Sequence, residues 1–183
     1  MEQDESWFLR FEQPNTGMWM DPAHPIRLIR RTAPPGTHDK AISCFGALCE
    51  ERDDVFLDFA QGHPNSEQMW GFIIRLLALT RQLEREVLVL IWDNAPWHTS
   101  KRIKQWIHHY NQCAKLTGDV RLLVFWLPTK SPWLNPIEPR WGHAKKHVCE
   151  PSGELLMTEL IRRICAYFHT QPLANCFNSF VPT

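Results

Sequence analysis

The sequence predicts an α/β domain in which a mixed sheet carries helices on both faces. Two patterns and one bulk property point that way. Residues 1–60 hold short apolar runs broken by Pro, Gly and Asp, the mark of strands and turns. From residue 65 onward, helix-period segments alternate with continuous apolar runs, as buried strands between helices would. The composition, 183 residues with 44% hydrophobic and 22% charged, suits one folded domain and excludes a disordered chain. There is no internal repeat and no low-complexity segment.

The elements follow in order. Trp7–Phe11, Ile26–Arg31, Ala41–Cys49 and Val55–Ala60 read as strands. Asn65-Ser66 supplies an N-cap, and Met69, Phe72, Ile73, Leu76, Leu77 and Leu83 recur at helical spacing behind it. Val87–Trp92 is a buried strand that runs into the loop Asp93-Asn94-Ala95-Pro96. Thr99 or Ser100 caps a helix with Ile103, Trp106, Ile107 and Tyr110 on its apolar side. Leu122–Leu127 is a second buried strand, halted by Pro128. Asn135-Pro136-Ile137-Glu138 opens another helix, and Leu155–Phe168 forms a last amphipathic one.

No apolar stretch reaches the ~20 residues of a membrane span. The start lacks the basic and apolar segments of a signal peptide. Six scattered cysteines, with no Cys-x-x-Cys pair, read as reduced thiols. Together these lead us to expect a cytoplasmic protein with no membrane partner. Nine tryptophans are either large core side chains or stacking surfaces for bases.

The formal net charge of zero is a sum of unlike parts. Residues 1–60 carry −5, residues 61–100 carry −1, residues 101–146 carry +7 and residues 147–183 carry −1. A charge run is usually a solvated face, but this basic stretch brackets the acids discussed next and is suited to tracking phosphates.

Asp93 stands where a buried strand ends, the position at which open α/β sheets gather ligands and catalytic groups. Asp-Asn-Ala-Pro is equally good turn chemistry. Glu138 has a similar double reading. With Asn135 as cap and Pro136 in the first helical position, it completes a capping box.

The combination is more specific than either part. Asp93, Asn94, Ala95, Pro96 and His98 follow one apolar strand; Leu127, Pro128, Ser131, Pro132, Leu134, Asn135, Pro136, Ile137, Glu138 and Trp141 follow another, with Lys145 one turn on. This arrangement resembles the DDE transposases, in the bacterial insertion-sequence branch related to mariner elements. The family's first acid lies in a strand as Asp-Glu-Ser and an aromatic, and Asp4-Glu5-Ser6-Trp7-Phe8 answers it.

The resemblance implies an RNase H-like mixed sheet of about five strands with helices on both faces. Asp4 and Asp93 would lie on adjacent central strands and Glu138 at the head of a helix beside them. It further implies that Asp4, Asp93 and Glu138 are the catalytic acids and hold two Mg²⁺ or Mn²⁺ ions, Asp4 bridging the pair. Three converging carboxylates repel one another unless cations neutralise them, and hard oxygen donors suit these ions. Asn94, His98 and Asn135 would position the acids or the phosphate. The expected partner is double-stranded DNA, both transposon ends and target, touched by Lys101, Arg102, Lys130, Arg140, Lys145 and Lys146. The expected reaction is nicking of transposon-end DNA followed by strand transfer from the freed 3′-OH.

Two departures from the family pattern shape the expectations. Asp93 and Glu138 are separated by 44 residues, longer than usual, and the excess is placed in His108–Asp119 as a loop insertion. Only three residues precede Asp4, whereas relatives carry an N-terminal helix-turn-helix region and a longer strand. The expectation is therefore one catalytic domain over residues 1–183 without that region, its first strand free to fray. It would be the downstream product of a split element, or a truncated relic, binding metal weakly unless joined to an upstream transposase fragment. A homodimer is the other expected assembly.

The remaining motifs carry less. His143, His147 and Cys149 have no second pair to complete a zinc site, and Cys113 and Cys165 have no local activating partner. No glycine-rich phosphate loop is present. The rival to a transposase catalytic domain is a non-catalytic fragment that at most binds DNA or a partner transposase. An RNase H-like nuclease acting outside transposition is a third reading.

Overall fold

Strand pairing starts from the antiparallel ladder of β1 (Glu2–Leu9) with β2 (Ala41–Cys49) and of β2 with β3 (Asp54–Gln61) in a computed structural model. The structure describes residues 1–10, 41–129, 131–148 and 155–173. The expected strand Ile26–Arg31, together with Phe11, Cys149 and Cys176, lies outside them. On the other side of β1, β4 (Val87–Trp92) and β5 (Arg121–Trp126) add in parallel, so the order is β3-β2-β1-β4-β5. This is the mixed five-stranded sheet expected from the sequence. β2 and β4 have the bounds read from the sequence. β1 is longer on its N-terminal side than the apolar run Trp7–Phe11, because antiparallel pairing carries the polar residues Glu2–Ser6 as well.

Strand alternation splits the core in two. Phe45, Ala47, Leu88, Leu90, Trp92 and Leu122 face α1 (Ser66–Gln82) and α3 (Lys101–Thr117). Phe8, Ile42, Cys44, Leu48 and Leu57 face α4 (Ile137–Val148) and α5 (Met157–Tyr167). Helices thus cover both faces. Asn65 caps α1 through bonds from Glu67 N and Gln68 N, and Ser100 Oγ caps α3 by accepting from Ile103 N. Between β4 and α3 a single turn, α2 (Pro96–Thr99), completes the helical inventory of this loop.

Two expectations need correcting. The residues 108–119 are not a loop insertion: α3 continues to Thr117 and ends on Gly118 in the left-handed conformation, φ 70°. The helix continues because Tyr110 and Ala114 keep its apolar side facing β5. Tyr110 Oη donates to Val120 O, and Asn111 exchanges side-chain bonds with Leu122 N and O, which anchors β5. The capping box at α4 is also not closed by its side chain. Glu138 N donates to the backbone oxygen of Asn135, and Asn135 Oδ1 is buried without a hydrogen-bond partner. The Asn135 side chain is built into the wall of a cleft rather than turned over the helix end.

One close approach sets the position of α4. A Cβ on Gly46 would lie 2.5 Å from the Trp141 ring and 3.0 Å from Ile137 Cδ1. Gly46 pairs directly with Asp4 across β1 and β2. The missing side chain therefore lets α4 lie against the sheet beside Asp4 and brings Glu138 to the same region. The start of β1 is tied to β4 by Met1, whose amine donates to Val89 O and whose carbonyl accepts from Ile91 N. Among the described residues no helix is long and apolar enough to cross a membrane, and the four described cysteines are free.

Candidate active site

Parallel pairing of Glu2 with Ile91 puts Asp4 and Asp93 at one level on neighbouring strands, their side chains on the α4 face. Both line a cleft of about 710 Å³, together with Asn94, Ser131, Asn135, Glu138 and Lys145. The structure thus brings Asp4, Asp93 and Glu138 to one cleft, as three elements remote in sequence converge on it. Among the described residues no three His, Cys, Asp or Glu side chains stand close enough to hold an ion as they are placed. The acids border an open cleft, not a closed cage.

The acids are electrostatically unlike. Asp4 is pushed up to about 7, first by burial, then by the charges of Glu5 and Asp93. At neutral pH it is therefore close to half protonated. Burial also acts upward on Asp93, but the His98 hydrogen bond and the Ala95 N–H outweigh it and hold Asp93 below the usual carboxylate range. Glu138 is exposed on the first turn of α4, where the helix dipole favours negative charge.

His98 is the pivot behind Asp93. It is fully buried and stacks on Trp92 with ring centroids 4.8 Å apart and planes 12° apart. Its Nδ1 lies 2.6 Å from Asp93 Oδ1 and its Nε2 lies 3.1 Å from Glu5 Oε1. Burial alone would lower His98, but the hydrogen bonds to Asp93 and Glu5 raise it to about 9, so both ring nitrogens carry protons at neutral pH. Asn94 Nδ2 donates to Leu127 O at 2.7 Å and so joins the loop after β4 to the one after β5. Sequence reasoning missed Glu5, whose side chain is 2% exposed and is held by Gln3, Trp97 and His98. The signal available was strand alternation: Glu5 must face away from Asp4, into the core.

The basic residues disperse. Lys145 lines the cleft, with its amine 5.9 Å from the centre of the Phe8 ring. Arg140 pairs with Asp53 at 2.5 Å, on the turn between β2 and β3. Arg102 pairs with Glu67 and stacks on Trp106. Lys101 is exposed at the start of α3, and Lys146 lies on α4 outside the cleft lining. Lys130 is outside the described residues. The tryptophans divide as well: Trp92 and Trp141 are core, whereas Trp126 is 40% and Trp133 77% exposed.

The donor chemistry of the cleft fits a divalent cation of the Mg²⁺ or Mn²⁺ kind. Three carboxylates offer hard oxygens, the charge of Asp93 acts against ionisation of Asp4, and Asn135 Oδ1 is a buried oxygen with no partner. Asp4, Asp93 and Glu138 are the residues able to hold it.

Comparisons with known proteins bear on this arrangement. The profile of the family described as DDE superfamily endonuclease matches residues 22–154, a span that contains Asp93 and Glu138 and begins after Asp4. Over 56 residues the chain is 45% identical to the transposable element Tcb2 transposase of Caenorhabditis briggsae, which is 31% of this chain and 17% of that protein. The fold is similar to that of Mos1 transposase in its paired-end complex with the left transposon end: TM-score 0.63, 18% identity, 93% of this chain and 47% of that one. A pre-cleavage Mos1 transpososome gives TM-score 0.63 at 17% identity, covering 94% of this chain and 48% of the other. The RNase H-like architecture expected from the sequence is thus the observed one, and the chain spans about half the length of these structural relatives. With the family profile covering most of its length, the chain belongs to the DDE superfamily of endonucleases.

Proposed function

We propose that this chain is the catalytic part of a Tc1/mariner-type transposase, of the bacterial insertion-sequence group, that nicks transposon-end DNA and joins the freed 3′-OH to target DNA. The observation that carries the reading is the meeting of Asp4, Asp93 and Glu138 in one cleft with Lys145 on its wall. Asp4 and Asp93 face the cleft from adjacent strands, and Glu138 reaches it from the helix that Gly46 admits. His98 and Ala95 N hold Asp93 through Oδ1, which leaves Oδ2 as the oxygen to meet a cation. Asp4, raised to about 7, would have to lose its proton to hold a cation, so cation affinity of the cleft would rise with pH. Lys145 supplies a positive charge for a phosphate, and Asn135 a fixed amide. Two Mg²⁺ or Mn²⁺ ions, held by the three acids, would lower the pKa of the attacking hydroxyl and offset charge on the leaving oxygen.

Double-stranded DNA is the proposed partner, with a second copy of the chain or an upstream transposase fragment completing the assembly inside the cell. A fragment stripped of its site is the weaker reading, because all three acids are present and share the cleft. The test is Mn²⁺-dependent nicking of supercoiled DNA by the parent, Asp93→Ala and Glu138→Ala proteins. Nicking by the parent and its loss in both variants is expected. Equal nicking by all three overturns the assignment.

A further inference from the structure

Glu5 is the neighbour of Asp4 in sequence and its opposite in place. It pairs with Phe45 across the antiparallel ladder, so its side chain follows Phe45 toward the α1 side of the sheet. There Oε1 accepts from Gln3 Nε2 at 2.9 Å and lies 3.1 Å from His98 Nε2, while Oε2 accepts from Trp97 Nε1 at 2.8 Å. A carboxylate is a costly way to fill a buried space, and this one is satisfied by three donors from β1 and α2. His98 is in turn held at both nitrogens and on one ring face, by Asp93, Glu5 and Trp92.

We propose that Glu5 is a positioning residue for Asp93: by gripping the far nitrogen of His98 it locks the ring that holds Asp93 Oδ1, and so keeps Oδ2 facing the cleft. The chain of contacts runs Glu5 Oε1, His98 Nε2, His98 Nδ1, Asp93 Oδ1, with a hydrogen bond at each end and the rigid imidazole ring between them. Without an acceptor at Glu5, His98 Nε2 is left buried and unpaired. The ring then has reason to rotate or to admit water, and Asp93 Oδ1 keeps only the Ala95 N–H of its two holds. Carboxylate ligands oriented in this way lose affinity for their ion when the orienting group is removed, commonly by 10- to 100-fold. The proposal rests on the reading of Asp93 as a cation ligand.

The experiment measures Mn²⁺ affinity of the folded chain, by the electron paramagnetic resonance of free Mn²⁺, alongside thermal unfolding. Glu5→Ala is expected to bind Mn²⁺ about 10- to 100-fold more weakly at a temperature where it is fully folded. Glu5→Gln, which keeps an oxygen for His98 Nε2, is expected to bind closer to the parent than Glu5→Ala does. If Glu5→Ala does not fold, Glu5→Leu takes its place with the same two outcomes, since it fills the space and lacks the acceptor. A folded Glu5→Ala or Glu5→Leu with parental Mn²⁺ affinity overturns the inference, and so does a Glu5→Gln as weak as they are. Asp93→Ala separates the two readings. Parental Mn²⁺ binding by that variant defeats the role of Asp93 itself, whereas its loss beside an unaffected Glu5→Ala defeats only the role of Glu5.

Discussion

The two faces of the sheet at the level of Asp4 treat adjacent carboxylates in opposite ways. On the α4 face Asp4 stands at a cleft beside Asp93, raised by burial and by like charges that the charge of His98 offsets only in part. On the α1 face Glu5 is sealed among Phe45, Trp97 and His98, and every one of its close polar contacts is a donor. One step along a strand separates a group whose charge is left for a ligand to satisfy from one whose charge the fold satisfies itself. The lesson is that the acid count of a site says less than which side of the strand each acid is on.

The contrast can be broken from its core side first. Trp92→Ala removes the surface on which His98 stacks and a fully buried indole, and is expected to cost ~3–5 kcal/mol in urea unfolding. A loss below ~1 kcal/mol would mean that the back face is not the rigid wall described. On the cleft side, Gly46→Ala drives a methyl into the Trp141 ring and is expected to cost ~1–3 kcal/mol while displacing α4. Mn²⁺ affinity should fall with it, because Glu138 rides on that helix. A stable Gly46→Ala protein with parental affinity would uncouple the helix from the site.

The smallest effect has the opposite sign. Asp4 is raised from 3.8 to about 7 in the folded chain, so the stability it contributes is complete below pH ~4 and is lost as pH rises through 7. Asp4→Asn removes this titration and should make the cation-free protein more stable at pH 8, by ~1–2 kcal/mol after allowing for solvent at the cleft. Thermal unfolding from pH 5 to 8 checks it: the parent declines across the window more steeply than the variant. Saturating Mn²⁺ should restore the parent and leave the variant unchanged. A parent and variant that decline in parallel would show that Asp4 is not the strained acid.

Much of the frame was legible from local pattern. The apolar runs Ala41–Cys49 and Val87–Trp92 are strands with those bounds, and Asn65 and Ser100 cap the helices they precede. Propensity, period and turn chemistry act over a few residues, so the chain states them locally. The excess between Asp93 and Glu138 was misplaced as a loop, because the helix period of α3 runs on through polar residues and only Tyr110 and Ala114 reveal its inner side. The capping box failed for a related reason. A box is a statement about one helix end, and Asn135 is instead committed to the wall of a cleft shared with β1 and β4.

By itself the sequence determined the element types, the strand-end place of Asp93 and the helix-start place of Glu138, since each depends on neighbours in the chain. It also held Asp4 and Glu5 on opposite faces, through the period of a strand. Only the tertiary structure decided that Gly46 lets Trp141 down beside Asp4, and that Asp93 is joined through His98 to Glu5, which lies 93 residues from His98 in the chain. It alone decided too that Lys145, and not Arg140, lines the cleft. Those outcomes depend on which surfaces meet across the sheet, and contact energies between remote residues exist only once the chain has closed on itself.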